Sequence, residues 1–345
     1  MTRQNNRSLA KCAALGLSLI LALAGPGTIA IGTGPGPCAT SANDLDSVRT
    51  IPARTFTSDL NLTVCVNTRR YGQTDYVGDT PSTQPIQIPK CVSWWVQPSH
   101  SGVIDMAKLH AEIVAKGIPG LCLLWGATDG DLQYLRGLTG LKYLDLKRTK
   151  ITDAGLENLS GLTGLQELHI EGTRITDGGL AHLTHMLDMN VLFLSDTRIT
   201  DAGLAHLKGL TRLHYLNLDT TLITDAGLVH LAGLGGENIH LSLKWTKITG
   251  AGLEHLKGIA GLTWLDLDST DITDTGLAHL KDLPGLRILG LLGTNITDAG
   301  LERLKCLKEL KELDVTYTQI TDQGVQELRK ALPSTRVLRL KIGGR

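Results

Sequence analysis

The sequence predicts an α/β solenoid, in which short strand–turn–helix units stack with parallel strands on one side and helices on the other. The second Leu of an L-x-L pair, or an aliphatic equivalent, recurs every 24 or 25 residues between residues 146 and 340. A strand that alternates in this way directs both Leu side chains to one face. A unit this short cannot bury its Leu face alone, so the units have to stack on one another.

Composition narrows the range of functions. The 345 residues include 34 basic and 34 acidic side chains, so the formal net charge is zero. This balance argues against a nucleic-acid partner, because such proteins usually carry a strong basic excess. Aromatic residues make up only 4% of the chain, and an aliphatic core is therefore expected.

The N-terminus has the pattern of a secretory signal peptide over residues 1–24. Arg3, Arg7 and Lys11 precede an apolar stretch at 12–24, which ends in an A-x-A cleavage site. The stretch is short for a membrane span, although an uncleaved anchor is the alternative. We therefore expect a secreted, periplasmic or cell-envelope protein with no stable membrane span once the signal is removed.

Residues 25–59 are rich in Gly, Pro, Ser and Thr, and they are expected to form a flexible leader. Residues 60–100 alternate like strands and form a small Cys-containing β-like region, with a loop expected over 73–85. In the segment 103–119, Met106, Leu109 and Ile113 share a helical face and Gly117 is a C-cap, which predicts a helix capping the following units.

Four cysteines are disulfide candidates if the protein is exported. We favour Cys65 with Cys91, because their stretches at 60–66 and 86–96 could pair as antiparallel strands; Cys38 would then pair with Cys122, and two other connectivities remain open. No CxxC motif or paired Cys/His spacing is present, so neither a metal nor a cofactor is expected. The fifth, Cys306, is expected to be an exposed thiol.

Residues 120–345 contain about nine units of 24 or 25 residues with the pattern L-x-x-L-x-L-x-x-T-x-I-T-D-x-G-L-x-x-L. The second Thr, such as Thr152, is placed to cap a helix, and the following Asp153 lies where the helix dipole favours negative charge. One unit has Gly250 in place of this Asp, and a weaker unit precedes the first, with Ala127-Thr128-Asp129 in place of ITD.

This pattern resembles the leucine-rich repeat family. Its ITDxGL half is similar to the cysteine-containing repeats of F-box receptors, with Thr149 and its equivalents in place of the consensus Cys or Asn, and to exported, internalin-like bacterial proteins. The resemblance implies a horseshoe with a parallel concave sheet and convex helices, used to bind proteins. It implies no enzymatic activity.

Strand alternation places the third, fifth and seventh residues of each unit on the concave face. Aromatic side chains concentrate there and at the strand ends, which predicts a protein-binding hot spot. The alternative is that each ring packs on its cross-strand neighbour. The predicted binding residues are Tyr143, His169, Phe193, Tyr215, Asp219, Lys244, Trp245, Trp264, Asp266, Asp268 and Tyr317.

Charged residues on this face have two interpretations. Asp219, Lys244 and Asp268 should form a row of alternating charge, either as surface pairs or as a grip on a polar partner. Asp145, His169 and Ser195 lie on consecutive strands, but a regular sheet offers neither an oxyanion hole nor a pocket for catalysis. Five helix histidines recur on the outer surface, as repeated surface residues or as a pH sensor: His182, His206, His230, His255 and His279.

These observations predict an exported scaffold whose concave face binds a protein or a cell-envelope component. The alternative is a structural or assembly spacer of the envelope in which residues 38–100 make the contact. A hydrolase is the third and weakest hypothesis.

Overall fold

A computed structural model describes residues 52–67, 74–91, 93–99, 104–124 and 126–340. The predicted signal peptide, Cys38 and most of the predicted leader lie outside these ranges. Within the described residues, no helix is both long enough and apolar enough to cross a membrane.

A sheet of 13 strands runs through the molecule in the order β15-β14-β13-β12-β11-β10-β9-β8-β7-β6-β5-β2-β3. Every neighbouring pair from β5 to β15 is parallel, whereas β2 is antiparallel to both β3 and β5. This arrangement confirms the predicted α/β solenoid. The strands are β1 Arg54–Phe56, β2 Leu62–Asn67, β3 Thr74–Thr80, β4 Ile86–Ile88, β5 Ser93–Pro98, β6 Gly120–Cys122, β7 Tyr143–Asp145, β8 Glu167–His169, β9 Val191–Phe193, β10 Tyr215–Asn217, β11 Ile239–Ser242, β12 Leu262–Asp266, β13 Ile288–Gly290, β14 Glu312–Asp314 and β15 Arg336–Leu338.

The opposite layer is made of short helical segments rather than the full helices expected. Several units have one α-helical turn followed by a 3₁₀ turn, and three have only 3₁₀ turns. The α-helices are α1 Met106–Lys116, α2 Asp129–Leu132, α3 Asp153–Glu157, α4 Asp177–Leu180, α5 Asp201–Leu204, α6 Asp298–Leu304 and α7 Asp322–Ala331. The 3₁₀ segments are Gln133–Leu135, Ala181–Leu183, Ala205–Leu207, Asp225–Leu231, Ala251–Gly258 and Gly276–Asp282.

The N-terminal strands extend the solenoid sheet instead of forming a separate body. Strands β2 and β5 pair antiparallel, as the sequence predicts for these stretches, and β5 pairs with β6. Residues 74–80, expected to be a loop, form strand β3 at the edge. The end of the expected flexible leader is also ordered, because β1 pairs with β4 and the buried Phe56 packs edge-on against Trp94.

Helix α1 has the caps that its sequence indicates. The Asp105 side chain accepts hydrogen bonds from the backbone N–H groups of Ala107 and Lys108, and Gly117 ends the helix with φ of 58°. A left-handed conformation of this kind favours glycine. The helix lies between the parallel strands β5 and β6 in the chain, so it joins them as the first crossover of the stack.

The core is a continuous aliphatic column. Both residues of each L-x-L pair from Leu144 to Val315 and the Ile of each ITD motif are buried, whereas in the last pair Leu338 is half-buried and Leu340 is exposed. The buried Thr two residues before that Ile donates its hydroxyl to a carbonyl within its own unit, as Thr149 does to Leu146 at 2.6 Å. It therefore closes the turn of one unit and forms no hydrogen bond between units.

A carboxylate makes the connection between units. The Asp of each ITD motif accepts hydrogen bonds from the backbone N–H and the hydroxyl of the motif Thr in the next unit; for Asp177 and Thr200 these are 2.7 Å and 2.6 Å. We call this pair of bonds the Asp–Thr clamp. It is present at Asp129–Thr152, Asp153–Thr176, Asp177–Thr200, Asp201–Thr224, Asp225–Thr249, Asp274–Thr297 and Asp298–Thr321.

The clamp explains the glycine of the same motif. A Cβ atom on Gly179 would lie 2.5 Å from Oδ1 of Asp153, closer than real side chains approach. The clamp is missing where Gly250 replaces Asp, and there the hydroxyl of Thr273 bonds to the hydroxyl of Thr275 instead. The junction between β11 and β12 thus lacks the bonds that hold its neighbours.

The structure does not show the predicted Cys65–Cys91 disulfide: both residues are free thiols, as are Cys122 and Cys306. The register of β2 explains this. Cys65 lies opposite Trp95 and joins a cluster with Cys122 on the concave face, whereas Cys91 belongs to the main core on the other side. Cys306 is exposed, as expected.

Candidate functional site

The concave face, by which we mean the sheet face opposite the helical segments, carries a row of stacked rings. Seven rings follow one another across the sheet, with centroids 4.0 to 5.4 Å apart. The closest parallel stacks are His169 on Phe193 and His240 on Trp264. We call this row the ring ladder; its members are Trp95, Tyr143, His169, Phe193, Tyr215, His240 and Trp264.

A glycine lets the ring ladder pass from the N-terminal strands to the repeated units. Strand β6 lies between β5 and β7, yet Trp95 of β5 stacks on Tyr143 of β7 with centroids 4.8 Å apart. Gly120 of β6 has no side chain to separate them, and a Cβ there would lie 2.6 Å from Cβ of Trp95. Both sides of the boundary therefore share one concave surface.

The ladder rings are less exposed than the sequence suggests. Tyr143 is only 8% exposed, and the rings of Phe193, Tyr215 and Trp264 are half-buried. Because the best-aligned rings stack face to face with their strand neighbours, they present mainly their edges to solvent. This packing is the alternative expected from the sequence, in which each ring packs on its cross-strand neighbour. Each aromatic contact contributes about 0.5–1.5 kcal/mol of stability beyond its buried area.

Two of the predicted aromatic residues lie outside the ladder and are exposed. Trp245 and Tyr317 follow their strands in left-handed turns, with φ of 56° and 59°. Their side chains are 52% and 50% exposed. They mark the rim at the carboxyl ends of the strands and do not join the concave row.

His169 is held by two carboxylates, one on its own strand and one just after it. Its Nε2 donates to Glu167 at 2.8 Å, and its Nδ1 lies 3.8 Å from Glu171. Burial disfavours the protonated ring, but these two carboxylates more than offset the burial and raise the pKa of His169 to about 9. The imidazolium therefore belongs to an ionic cluster, and its hydrogen bond goes to Glu167 rather than to Asp145 or Ser195.

A second ionic cluster spans β11 and β12. Lys244 Nζ lies 2.6 Å from Asp266 and 3.4 Å from Asp268. Asp219 accepts hydrogen bonds from the Ser242 hydroxyl and from the backbone N–H of Lys244. The predicted row of alternating charge is therefore present, with Asp266 as an additional member.

Burial changes the protonation of this cluster. Desolvation, together with the negative charge of Asp266, raises the pKa of Asp268 to about 7. Nearby His240 has the opposite shift: burial and the positive charge of Lys244 lower its pKa to about 3. At neutral pH, His240 is thus a neutral ring stacked on Trp264, while Asp268 is close to its midpoint of titration.

Sequence reasoning missed three participants. His240 occupies the third position of its unit, as do Tyr215 and Trp264. It would have been included if histidine had been counted together with Phe, Tyr and Trp. Trp95 and Gly120 precede the regular pattern, so their place on this face depends on the register of β5, β6 and β7. Among the described residues, no group of three or more His, Cys, Asp or Glu side chains has the arrangement of a metal site.

The convex histidines are half-buried and occupy equivalent places in successive units. Nothing in their surroundings distinguishes repeated surface residues from a pH sensor, so both interpretations stay predictions.

The sequence was compared with family profiles, curated proteins and solved structures. A family profile described as "Leucine Rich repeat" matches residues 138–160 and 308–328. No curated protein matches the sequence significantly.

Similar solved structures include internalin C2 of Listeria monocytogenes, with 26% identity over 67% of this chain and 84% of that chain and a TM-score of 0.43. A leucine-rich repeat protein of Leptospira interrogans has 18% identity over 60% of this chain and 56% of that one, with a TM-score of 0.46. A plant peptide hormone receptor, solved in complex with its hormone, has 14% identity over 60% of this chain and 37% of that one, with a TM-score of 0.42. The chain is similar to the leucine-rich repeat family in its two matched segments, and the constant period and the parallel sheet make its repeat region an α/β solenoid.

Proposed function

We propose that the protein is an exported binding scaffold whose concave face holds a protein partner, either a free protein or a component of the cell envelope. The observation that carries this proposal is the continuous ring ladder from Trp95 to Trp264, flanked by charged clusters. The ladder holds its neighbours in a fixed arrangement, so little side-chain freedom would be lost when a partner binds.

The charge of this face indicates the kind of partner. Carboxylates outnumber cations on the concave face. Each lysine and arginine side chain there is already paired with a carboxylate. A partner surface with an excess of Lys and Arg would be attracted, and an acidic one would be repelled. The acidic residues are Asp145, Glu167, Glu171, Asp219, Asp266, Asp268, Glu312 and Asp314, and the cationic ones are Lys147, Lys244, Arg336 and the imidazolium of His169.

Catalysis has little support from this surface. His169 is bound to Glu167, so an aligned Asp145–His169–Ser195 array is not formed. A scaffold that binds through complementary shape and charge needs none of these groups to react. The spacer hypothesis predicts instead that the concave face is dispensable.

The test is a pull-down from the envelope and the medium of the source cells, with two single substitutions compared. Ser195→Tyr adds bulk at a half-buried position in the middle of the concave face without removing a ladder ring. Ala205→Tyr adds the same bulk at an exposed position on the convex side. Both proteins should melt like the parent.

We expect Ser195→Tyr to reduce capture of the partner at least tenfold and Ala205→Tyr to leave it unchanged. Equal capture by all three proteins would contradict the concave-face proposal. It would move the contact to the rim, to the convex side or to the N-terminal strands, as the spacer hypothesis requires.

A further inference from the structure

A file of exposed cations runs along the rim of the solenoid, away from the concave face. Arg148, Lys150, Arg174 and Arg198 are all exposed, and none of them makes an ion pair with another residue in the described part of the chain. We call these four residues the basic file. Each of the last three occupies the same place in its unit, one residue before the buried Ile of the ITD motif.

Backbone hydrogen bonds fix the spacing of the file. The N–H of Arg174 donates to the carbonyl of Ile151, the residue after Lys150, at 3.1 Å. The N–H of Arg198 donates to Ile175 in the same way at 3.1 Å. Successive cations therefore lie on neighbouring parallel backbone segments, which are about 4.8 Å apart.

The side chains in the file point to solvent because their neighbours point inward. Lys150 lies between Thr149 and Ile151, which are both buried, and Arg174 and Arg198 have the same flanking residues. Arg148 lies two residues before Lys150, in the turn that follows β7. Gly172 leaves room for its stem, since a Cβ there would be 3.1 Å from Cγ of Arg148.

Like charges on adjacent backbone segments repel one another, and each such pair destabilises the stack of units unless an anion lies nearby. The nearest acidic side chains do not neutralise the file. Asp153 and Asp177 are engaged in Asp–Thr clamps, Glu171 faces His169, and Asp196 is exposed without an ion pair among the described residues. An external polyanion would remove this repulsion and release its own counterions.

We propose that the basic file binds a linear polyanion, namely a polysaccharide chain that carries sulfate or phosphate groups. The cations form a single row one residue wide, extending about 10 Å from Lys150 to Arg198 along the stack. A row fits a chain of anionic groups, whereas a bilayer would need a broad basic surface. Arginine is suited to this role because its planar guanidinium binds sulfate or phosphate oxygens in a bidentate manner.

The experiment measures binding of the full-length protein to dextran sulfate over a range of salt concentrations, with neutral dextran as the blank. The test variant changes Arg148, Lys150, Arg174 and Arg198 to Gln. A matched control changes four convex lysines to Gln and removes the same charge: Lys208, Lys257, Lys281 and Lys308, all of them exposed.

We expect the basic-file variant to bind dextran sulfate at least tenfold more weakly at low salt, with a shallower dependence on salt. The convex control should bind like the parent. Because all eight residues are exposed, both variants should fold like the parent, and relief of the repulsion should leave the basic-file variant with a melting temperature no lower than the parent's. A further variant that replaces only the three arginines of the file by Lys keeps the charge but loses the bidentate geometry, so it should bind more weakly than the parent and more strongly than the basic-file variant.

Equal weakening in both quadruple variants would overturn the proposal, because it would reduce the effect to net charge. Unchanged binding of dextran sulfate by the basic-file variant would also overturn the proposal. The same holds if the protein binds phosphatidylserine vesicles more strongly than dextran sulfate and this binding depends on the same four residues. Ser195→Tyr should leave dextran sulfate binding intact, so failure of this proposal is distinguishable from failure of the concave-face proposal.

Discussion

At the scale of single residues, each letter of the ITDxGL motif has a separate physical task. The Ile enters the core, the Thr donates to the previous unit, and the Asp accepts from the next one. The Gly is required because the preceding unit's carboxylate occupies the space of its side chain. The motif thus describes a contact between units more than a helix start.

The first prediction concerns this glycine. Gly179→Ala should destabilise the protein by about 1–3 kcal/mol, because the new methyl group would press on the Asp153 carboxylate and on Ile175. The control is Gly161→Ala, where no atom lies within 4 Å of the added carbon and no loss of stability is expected. Urea unfolding of the two variants measures the difference, and equal losses would show that the clamp does not impose the glycine.

The second prediction concerns the pH dependence that His169 contributes. Its pKa is about 9 in the folded protein, whereas a free histidine side chain has a pKa of 6.5, so the folded state holds the proton more tightly. The stabilisation is complete below pH 6.5 and is lost as the pH rises through 9. It amounts to a few kcal/mol, on the order of 3 by the pKa difference.

His169→Gln should therefore lose less stability than the parent when the pH is raised from 6.5 to 9. Thermal unfolding at several pH values gives both slopes. Identical slopes would show that the ring is not held as an imidazolium by Glu167 and Glu171.

At the scale of elements, strands β11 and β12 are joined differently from their neighbours. The clamp is absent at this junction because Gly250 replaces Asp, yet the concave side carries the Lys244 ion pairs and the stack of His240 on Trp264. The junction thus depends on its concave side, whereas the neighbouring junctions are also held by clamps.

The third prediction tests this dependence. Lys244→Met would leave Asp266 and Asp268 adjacent without a cation, and should cost roughly 2 kcal/mol at pH 8, less than for a fully buried pair because the lysine side chain is 35% exposed. The cost should shrink at pH 5, where the raised pKa of Asp268 lets it take up a proton. Lys208→Met on the convex side is the control, and a loss that does not vary with pH would contradict the prediction.

At the scale of the whole molecule, a solenoid is stabilised by contacts between neighbouring units, so one weak junction can divide it. The seven described clamps flank the β11–β12 junction on both sides. This makes the region from β12 onward a candidate for separate opening.

The fourth prediction is that hydrogen exchange detects this division. Amides of β12, β13 and β14 should exchange through an opening of lower free energy than amides of β8, β9 and β10. Asp177→Ala removes the clamp to Thr200 and should create a second boundary there. Uniform protection along the sheet, in the parent and in this variant, would show that the clamps do not set the cooperativity.

How far the sequence predicts the molecule depends on the range of the contacts. The solenoid follows from the period, because L-x-L and ITD recur in register and each unit specifies the same local fold. The ring ladder was only partly predictable. Tyr215 and Trp264 lie in the regular pattern, but Trp95 contacts Tyr143 only because Gly120 has no side chain to separate them.

The N-terminal region is where sequence reasoning was weakest. Phe56 lies in a stretch rich in turn-forming residues, and its burial depends on Trp94, 38 positions further along the chain. Pairing Cys65 with Cys91 ignored the alternation of β2 and β5, which sends Cys65 to the concave face. Contacts of this kind depend on strand register, and an irregular segment has no repeat from which the register can be deduced.

The most direct measurement of the central claim is a hydrogen-exchange map of the protein bound to its captured partner. The account predicts slower exchange in strands β8 to β12 and in the turns that follow them, with the convex segments unchanged. Protection confined to the convex segments, or to β3 at the sheet edge, would contradict a binding surface on the concave face.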